Sequence, residues 1–423
     1  MNVLILGSGG REHALAYQIS KSNVLSKLFV APGNAGTAQI AENIKISVND
    51  FNAISEFVIQ NNINIIVVGP EDPLVSGIVD FFRSKSEFNN LHIIGPDKLG
   101  AKLEGSKDFA KEFMFKYNIP TASYFCANSS NYKEAKNYLS KLNPPYVLKA
   151  DGLAAGKGVL ILNDYSEAIF ELKNILDGKF GSAGNKVVIE EFLDGIECSA
   201  FALTDGESYV ILPEAKDYKR IGENNTGLNT GGMGAVSPVP FYNKDFANKV
   251  EERIIKPTIA GIKQEKMNYC GFVFFGLMNV SGNPYVIEYN VRMGDPETEA
   301  VLPRIKSDFL EVLINAAEKT LKNVNLELAT DSTATIILVS GGYPGSYEKN
   351  KKICGIDKVK DSIVFHSGTV INEDCLVSAG GRVLAISSYG KDIFEALEKS
   401  YCSAKKIHFE NMYYRKDLGF DLK

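Results

Sequence analysis

The chain contains no run of about 18 apolar residues, so a membrane-spanning helix is not expected. Cysteine is sparse: Cys126, Cys198, Cys270, Cys354, Cys375 and Cys402 are scattered, with no C-x-x-C pair. That pattern argues against a disulfide framework or a thiolate metal site and reads as free thiols in a reducing compartment. The four histidines do not cluster along the sequence, so a zinc site is not expected. Positive charge is not in excess. Lys and Arg number 46 against 51 Asp and Glu, a net −5, which argues against a nucleic-acid partner. The N-terminus enters a strand directly at Val3–Leu6, with no basic segment or cleavage site, so a cytoplasmic location without a signal peptide is expected. No internal repeat or low-complexity segment interrupts the 423 residues, which are too many for one ordinary domain.

From Met1 to about Leu103, strand patterns at Val3–Leu6, Lys27–Val30, Ile63–Val68 and His92–Ile94 alternate with amphipathic helices. Such βαβ repetition predicts a parallel sheet covered on both faces. The loop Gly7–Arg11 then lies at the carboxyl end of the first strand, where ligands bind in such sheets. A dinucleotide-binding fold is argued against there. The third glycine of G-x-G-x-x-G would fall at Glu12, and Lys27–Gly33 holds no acid for a ribose. A helix is predicted to open at Glu104–Lys107 and run through Lys116. A small sheet is expected over about 120–191, and a second includes Gly271–Asn279 and Tyr285–Asn290. From about Leu326 a last α/β unit has strands at Thr335–Val339, Ile363–Ser367 and Arg382–Ile386. Its helix, Lys391–Ile407, aligns Ile393, Ala396, Leu397, Tyr401 and Ala404 on one face. The expected domains are 1–103, 104–325 with a mobile lid at about 120–191, and 326–423.

Three segments carry chemistry. In VIEYNVRMGDPETE (Val286–Glu299), strand periodicity puts Glu288 and Asn290 on one face, roughly 7 Å apart at Cα. A carboxylate beside an amide oxygen suits a hard cation that leaves places open for phosphate oxygens. Arg292 shares that face if the strand continues. Taken alone, an edge strand with a salt bridge explains the segment equally well. In YVLKADGLAAGKGV (Tyr146–Val159), small residues between Lys149 and Lys157 allow backbone N–H groups close to phosphate. The spacing is not that of a P-loop, and a flexible turn is the alternative. In VVIEEFLDGIE (Val187–Glu197), a buried-type strand leads into Glu190, Glu191, Phe192 and Leu193, and backbone near Phe192 and Leu193 could read an adenine edge. Glu197 is placed to accept from ribose hydroxyls, though a plain hairpin also accounts for this piece.

In this order the three segments resemble the ATP-grasp superfamily, in which two small sheets clamp one ATP. Within it, the wording is similar to the phosphoribosylamine–glycine ligase family over nearly the whole chain. The matching runs are GSGGREHAL (Gly7–Leu15), APGNAGT (Ala31–Thr37), VGPEDPLVSGIVD (Val68–Asp80), EGSKDF (Glu104–Phe109), ADGLAAGKGV (Ala150–Val159), EEFLDG (Glu190–Gly195), NTGGMGAVSP (Asn229–Pro238), RMGDPE (Arg292–Glu297), GGYPG (Gly341–Gly345) and GGRVL (Gly380–Leu384).

The resemblance implies a multidomain α/β and α+β fold: an N-terminal parallel sheet, a central ATP-grasp unit and a small C-terminal α/β domain. It implies a monomer acting on small molecules, ATP, glycine and 5-phosphoribosylamine, with Mg²⁺ or Mn²⁺. It assigns Lys107, Lys149, Gly156, Lys157 and Gly158 to ATP phosphates, and Glu190, Phe192, Leu193 and Glu197 to the nucleoside. Glu288 and Asn290 are assigned to metal, and Arg292, with Lys149 and Lys107, to catalysis. Asp217, Lys219, Arg220 and the turn Gly294, Asp295, Pro296 and Glu297 are assigned to glycine and phosphoribosylamine, with Gly9, Gly10 and Arg11 approaching the latter. Two departures stand out. The family usually has glutamine and histidine where this chain has Lys216 and Tyr218. The strand Phe272–Met278 also carries no acid, where many ATP-grasp enzymes place a second metal ligand; Glu297 or phosphate oxygens are the substitutes considered. The rivals are other purine-pathway ATP-grasp carboxylate–amine ligases, D-alanine ligases, and a nucleotide-binding regulator without turnover.

Overall fold

The computed structural model describes residues 1–152 and 158–422, and its main feature is one continuous sheet path. Five parallel strands open it, in the order Glu42–Asn43, Lys27–Pro32, Asn2–Gly7, Ile65–Val68 and His92–Pro96. Ile65–Val68 is buried throughout, which is why it reads as an unbroken apolar run. The edge pair Glu42–Asn43 is too short and polar to show a period in the sequence.

His92–Pro96 pairs antiparallel with the first residues of the long strand Tyr269–Val280. The rest of that strand is flanked by Ile196–Thr204 on one side and Asn283–Asn290 on the other. Beyond Ile196–Thr204 the path runs antiparallel through Tyr209–Asp217, Gly234–Ser237, Ser332–Val339, Arg382–Gly390 and Ile363–His366. The N-terminal and C-terminal units thus bracket the central one on a single path. The last α-helix among the described residues is Ile393–Ala404, shorter than the predicted Lys391–Ile407. Asp392 caps it, accepting from the N–H groups of Phe394 and Glu395, so the chain before it stays extended.

A separate antiparallel sheet has the order Tyr124–Ala127, Val187–Glu190, Tyr146–Ala150, Val159–Leu162. It has its own small core, including Leu139, Leu148, Leu172 and Ile189, distinct from the three larger ones. Its root touches the main sheet where the Val286 N–H donates to the Pro120 carbonyl at 2.8 Å.

Two local expectations are corrected. The helix predicted from Glu104 through Lys116 is broken: Lys98–Gly105 ends, Ser106 is extended, and Lys107–Lys116 starts afresh. Ser106 caps the second helix by accepting from the Phe109 N–H, an interaction that competes with helix continuation. The strand Asn283–Asn290 stops before Arg292 and carries a bulge opposite Gly276 and Leu277, so simple alternation fails. With Ile287 as the extra residue, Val286 and Tyr289 both enter the core, and Glu288 and Asn290 emerge half-buried on the other face.

Candidate active site

The cations gather at the root of the small sheet. Asp151 accepts from the Asp108 N–H at 2.8 Å and from the Ser106 hydroxyl at 3.1 Å, tying the end of the strand Tyr146–Ala150 to a helix N-terminus. Lys107, at the start of that helix, donates from Nζ to the Gly152 carbonyl at 3.2 Å. Burial lowers its pKa, Glu288, Asp151 and Glu190 oppose that, and Lys149 adds to it. Lys149 Nζ lies 2.9 Å from Glu190 and donates to the Ile287 carbonyl at 3.2 Å, beside Glu288. Gly158 closes the loop, its carbonyl accepting from the Ala150 N–H. Gly156 and Lys157 lie outside the described residues. After Glu190 the chain leaves the sheet through Phe192, which is exposed, and Leu193, which is half-buried.

Glu288 and Asn290 offer two oxygen ligands on one strand face. No group of three or more His, Cys, Asp or Glu suited to a metal occurs among the described residues. The donors fit a hard cation such as Mg²⁺, which takes one or two protein ligands and completes its octahedron with phosphate and water. Arg292 does not stand beside them on the strand. Its guanidinium is held by Glu104 at 2.8 Å and by Glu71 at 3.3 Å. Burial pushes the Glu104 carboxyl up to about 7, with Arg292 opposing.

A second cluster faces this cleft. Lys219 pairs with Glu197 at 3.0 Å. Lys219 chiefly accounts for the depressed pKa of Glu197, while burial raises that of Asp217. Glu297, bonded to Ser199 Oγ at 3.1 Å, is pushed up to about 7 by burial and by Asp217. Gly294 leaves room for the Glu297 carboxylate, and Gly232 leaves room for Pro296. Arg220 starts the separate ribbon Arg220–Gly222, and its guanidinium donates to the Gly227 carbonyl. The unusual residues turn the other way: Lys216 lies 3.2 Å from Asp421, and the Tyr218 hydroxyl donates to the same carboxylate at 2.9 Å.

The glycine loop after the first strand meets the C-terminal unit across a cavity of about 490 Å³. Ser8, Gly9, Gly33 and Asn34 line one side, Ser367–Val370 and Ala379–Gly380 the other, with Asp295 and Arg382 between them. Arg382 lies 3.1 Å from the Asp295 carboxylate. Arg11 is buried, pairs with Glu12 at 2.7 Å and donates to the Met293 carbonyl. At Gly10 a Cβ would sit 2.2 Å from Glu299 Oε1, so only glycine fits over that buried acid.

Sequence reasoning missed Glu71, Glu104, Lys111, Glu299 and Arg382 as members of this region. Glu71, Glu104, Glu299 and Arg382 lie inside quoted segments, so a signal existed without a role attached. Two of the four histidines, distant in sequence, meet. His13 and His366 have ring centroids 5.6 Å apart, and His13 Nδ1 accepts from the His366 N–H.

Three family models match the chain: the phosphoribosylglycinamide synthetase N domain over residues 1–104, the ATP-grasp (A) domain over 105–298 and the C domain over 333–421. A phosphoribosylamine–glycine ligase of Fusobacterium nucleatum is 46% identical over 99% of this chain and 98% of its own length. One from Caldanaerobacter subterraneus is 45% identical over 99% of each. The crystal structure of phosphoribosylamine–glycine ligase from Thermotoga maritima superposes with a TM-score of 0.85 at 36% identity, covering 99% of this chain and 100% of that one. A biotin carboxylase from Campylobacter jejuni, 14% identical over 97% of this chain and 92% of that one, shares the fold at a TM-score of 0.73. With its three domains matched in order and relatives similar from end to end, the chain belongs to the phosphoribosylglycinamide synthetase family.

Proposed function

We propose that the chain is an ATP-dependent carbon–nitrogen ligase that joins glycine to 5-phosphoribosylamine, giving glycinamide ribonucleotide, ADP and phosphate in purine synthesis. The observation that carries this reading is the convergence of Lys107, Lys149 and Glu190 from the small-sheet side on Glu288 of the opposite strand, in a chain of this family. The substrates are small molecules. Among the described residues no helix is long and apolar enough to cross a membrane. We take the chain to act as a cytoplasmic monomer.

A carboxylate is a poor acyl donor. Its oxygen attacks the γ-phosphorus of ATP, ADP leaves, and glycyl phosphate forms. The amine of phosphoribosylamine then attacks the acyl carbon, loses a proton and expels phosphate. No enzyme nucleophile is needed, so positioning and charge neutralisation carry the rate.

In this reading Lys107 and Lys149, with Gly156, Lys157 and Gly158, bind the phosphates of ATP. Glu190, Phe192, Leu193 and Glu197 hold the nucleoside. Glu288 and Asn290 would hold Mg²⁺ or Mn²⁺, which supplies charge neutralisation on phosphate when bound. Arg292 stabilises the charge of the acyl phosphate. Asp217, Lys219 and Glu297 receive glycine, and the cavity beside the loop Gly9–Arg11, lined by Asp295 and Arg382, receives phosphoribosylamine. Incubation with ATP, Mg²⁺, glycine and phosphoribosylamine, followed by mass spectrometry, tests the assignment. Glycinamide ribonucleotide is the expected product, and its absence when the substrates are intact would overturn the reading.

A further inference from the structure

The Glu190 carboxylate is shared by two buried lysines. Oε2 lies 2.9 Å from Lys149 Nζ, and Oε1 lies 3.2 Å from Lys111 Nζ. Exposure is 4% for Glu190, 5% for Lys149 and 1% for Lys111. The lysines differ in what else holds them. Lys111 also donates to Thr121 Oγ1 at 2.7 Å and to the Ala122 carbonyl at 3.2 Å, so all three ammonium donors have partners. The Thr121 hydroxyl in turn donates to the Val286 carbonyl, anchoring the arrangement to the strand that bears Glu288. Lys149 has Glu190 and one carbonyl, a looser hold.

A buried ammonium is expensive. Burial lowers Lys111 to about 8 even with Glu190 opposing. A methionine would fill the same helix position without that cost, so core packing does not explain the charge. Leaving a buried carboxylate without a cation costs more still. Lys149 therefore cannot turn from Glu190 to a phosphate unless Glu190 keeps another partner.

We propose that Lys111 is a positioning residue that keeps Glu190 compensated, so that Lys149 can be handed from Glu190 to the phosphates of ATP. The inference rests on the reading of this cleft as an ATP site. Lys111 sits four residues after Lys107 on one helix face, so the same helix supplies a cation that meets the nucleotide and one that frees a second to do so. Lys111 itself never touches ATP.

The test measures binding of a non-hydrolysable ATP analogue with Mg²⁺ by calorimetry, alongside KM for ATP and kcat, in the full chain. The variants are Lys111→Met, Glu190→Gln and the double variant. Lys111→Met should weaken analogue binding at least about ten-fold and raise KM for ATP similarly, with a much smaller change in kcat at saturation. Once Glu190 is uncharged, Lys111 should no longer matter. Glu190→Gln and the double variant should bind within about two-fold of each other. A plain structural role predicts additive losses instead. Lys111→Met binding as wild type, or a double variant ten-fold weaker than Glu190→Gln, would overturn the proposal. If Lys111→Met does not fold, the comparison of Glu190→Gln with the double variant decides alone. Failure of the wild-type chain to bind the analogue would overturn the ATP reading itself, and the handover with it.

Discussion

Glu104 holds two successive residues of the turn after the strand Asn283–Asn290. One oxygen lies 2.8 Å from the Arg292 guanidinium, and the other accepts the Val291 N–H at 2.8 Å. Removing the guanidinium leaves a buried carboxyl that already titrates near 7. Its folded pKa lies above the unfolded value, so its ionisation costs stability as pH rises through the folded value. Arg292→Leu pushes that value higher still. The variant should therefore lose about 3 kcal/mol at pH 8, the low end for breaking a buried pair, and clearly less at pH 6. Urea unfolding at the two pH values checks this; an equal loss at both would mean that Glu104 stays charged without Arg292.

Glu288→Gln keeps the size of a half-buried side chain and removes a charged ligand. It should cut kcat by on the order of two powers of ten or more, as loss of one transition-state electrostatic group does, with the circular dichroism spectrum unchanged. Near-normal turnover at modest Mg²⁺ would make Glu288 a structural residue.

The histidine pair joins the first helix, Gly10–Ile19, to the C-terminal strand Ile363–His366. Burial lowers His13 to about 3, with His366 adding to the effect, and lowers His366 to about 4. Both folded values lie below the unfolded 6.5, so the stability from neutral burial is present above that pH and is lost as pH falls toward 4. At pH 5 each histidine should cost about 2 kcal/mol relative to pH 7.5. His13→Asn keeps an acceptor for the His366 N–H and should remove about half of this acid sensitivity. Denaturant midpoints across pH 7.5 to 5 measure it, and an unchanged slope would show that the acid response lies elsewhere.

Gly10→Ala places a methyl group 2.2 Å from Glu299 and 2.7 Å from Ser367 Oγ, at the contact between the N-terminal and C-terminal units. The backbone or Glu299 must give way. Stability should fall by about 1–3 kcal/mol, the usual range for overpacking, and KM for phosphoribosylamine should rise. Thermal unfolding and initial rates test both; a variant that is wild-type in each would show that the contact is soft.

What was legible in the sequence was local. The buried parallel strands read as apolar runs because both their faces are covered, and Lys107 and Lys149 lay in short motifs whose spacing is fixed along the chain. The bulge at Ile287 was not legible, because it is a relationship to Gly276 and Leu277 on the partner strand. Arg292 was placed by extending an alternation that the fold ends at Asn290. Glu71 and Glu104 were invisible as its partners, since an ion pair between distant segments leaves no periodic trace. The same holds for His13 and His366, which scattered in sequence and met across two units. Lys111 looked like one more helix lysine. Only its 1% exposure and the Glu190 carboxylate beside it mark it out.

The central claim is an acyl-phosphate ligase with two separate organic substrates, and phosphate release tests it most directly. With ATP, Mg²⁺ and glycine, rapid sustained turnover should appear only when phosphoribosylamine is added, with one ADP and one phosphate per product. Stoichiometric AMP and pyrophosphate, or full turnover without phosphoribosylamine, would contradict it.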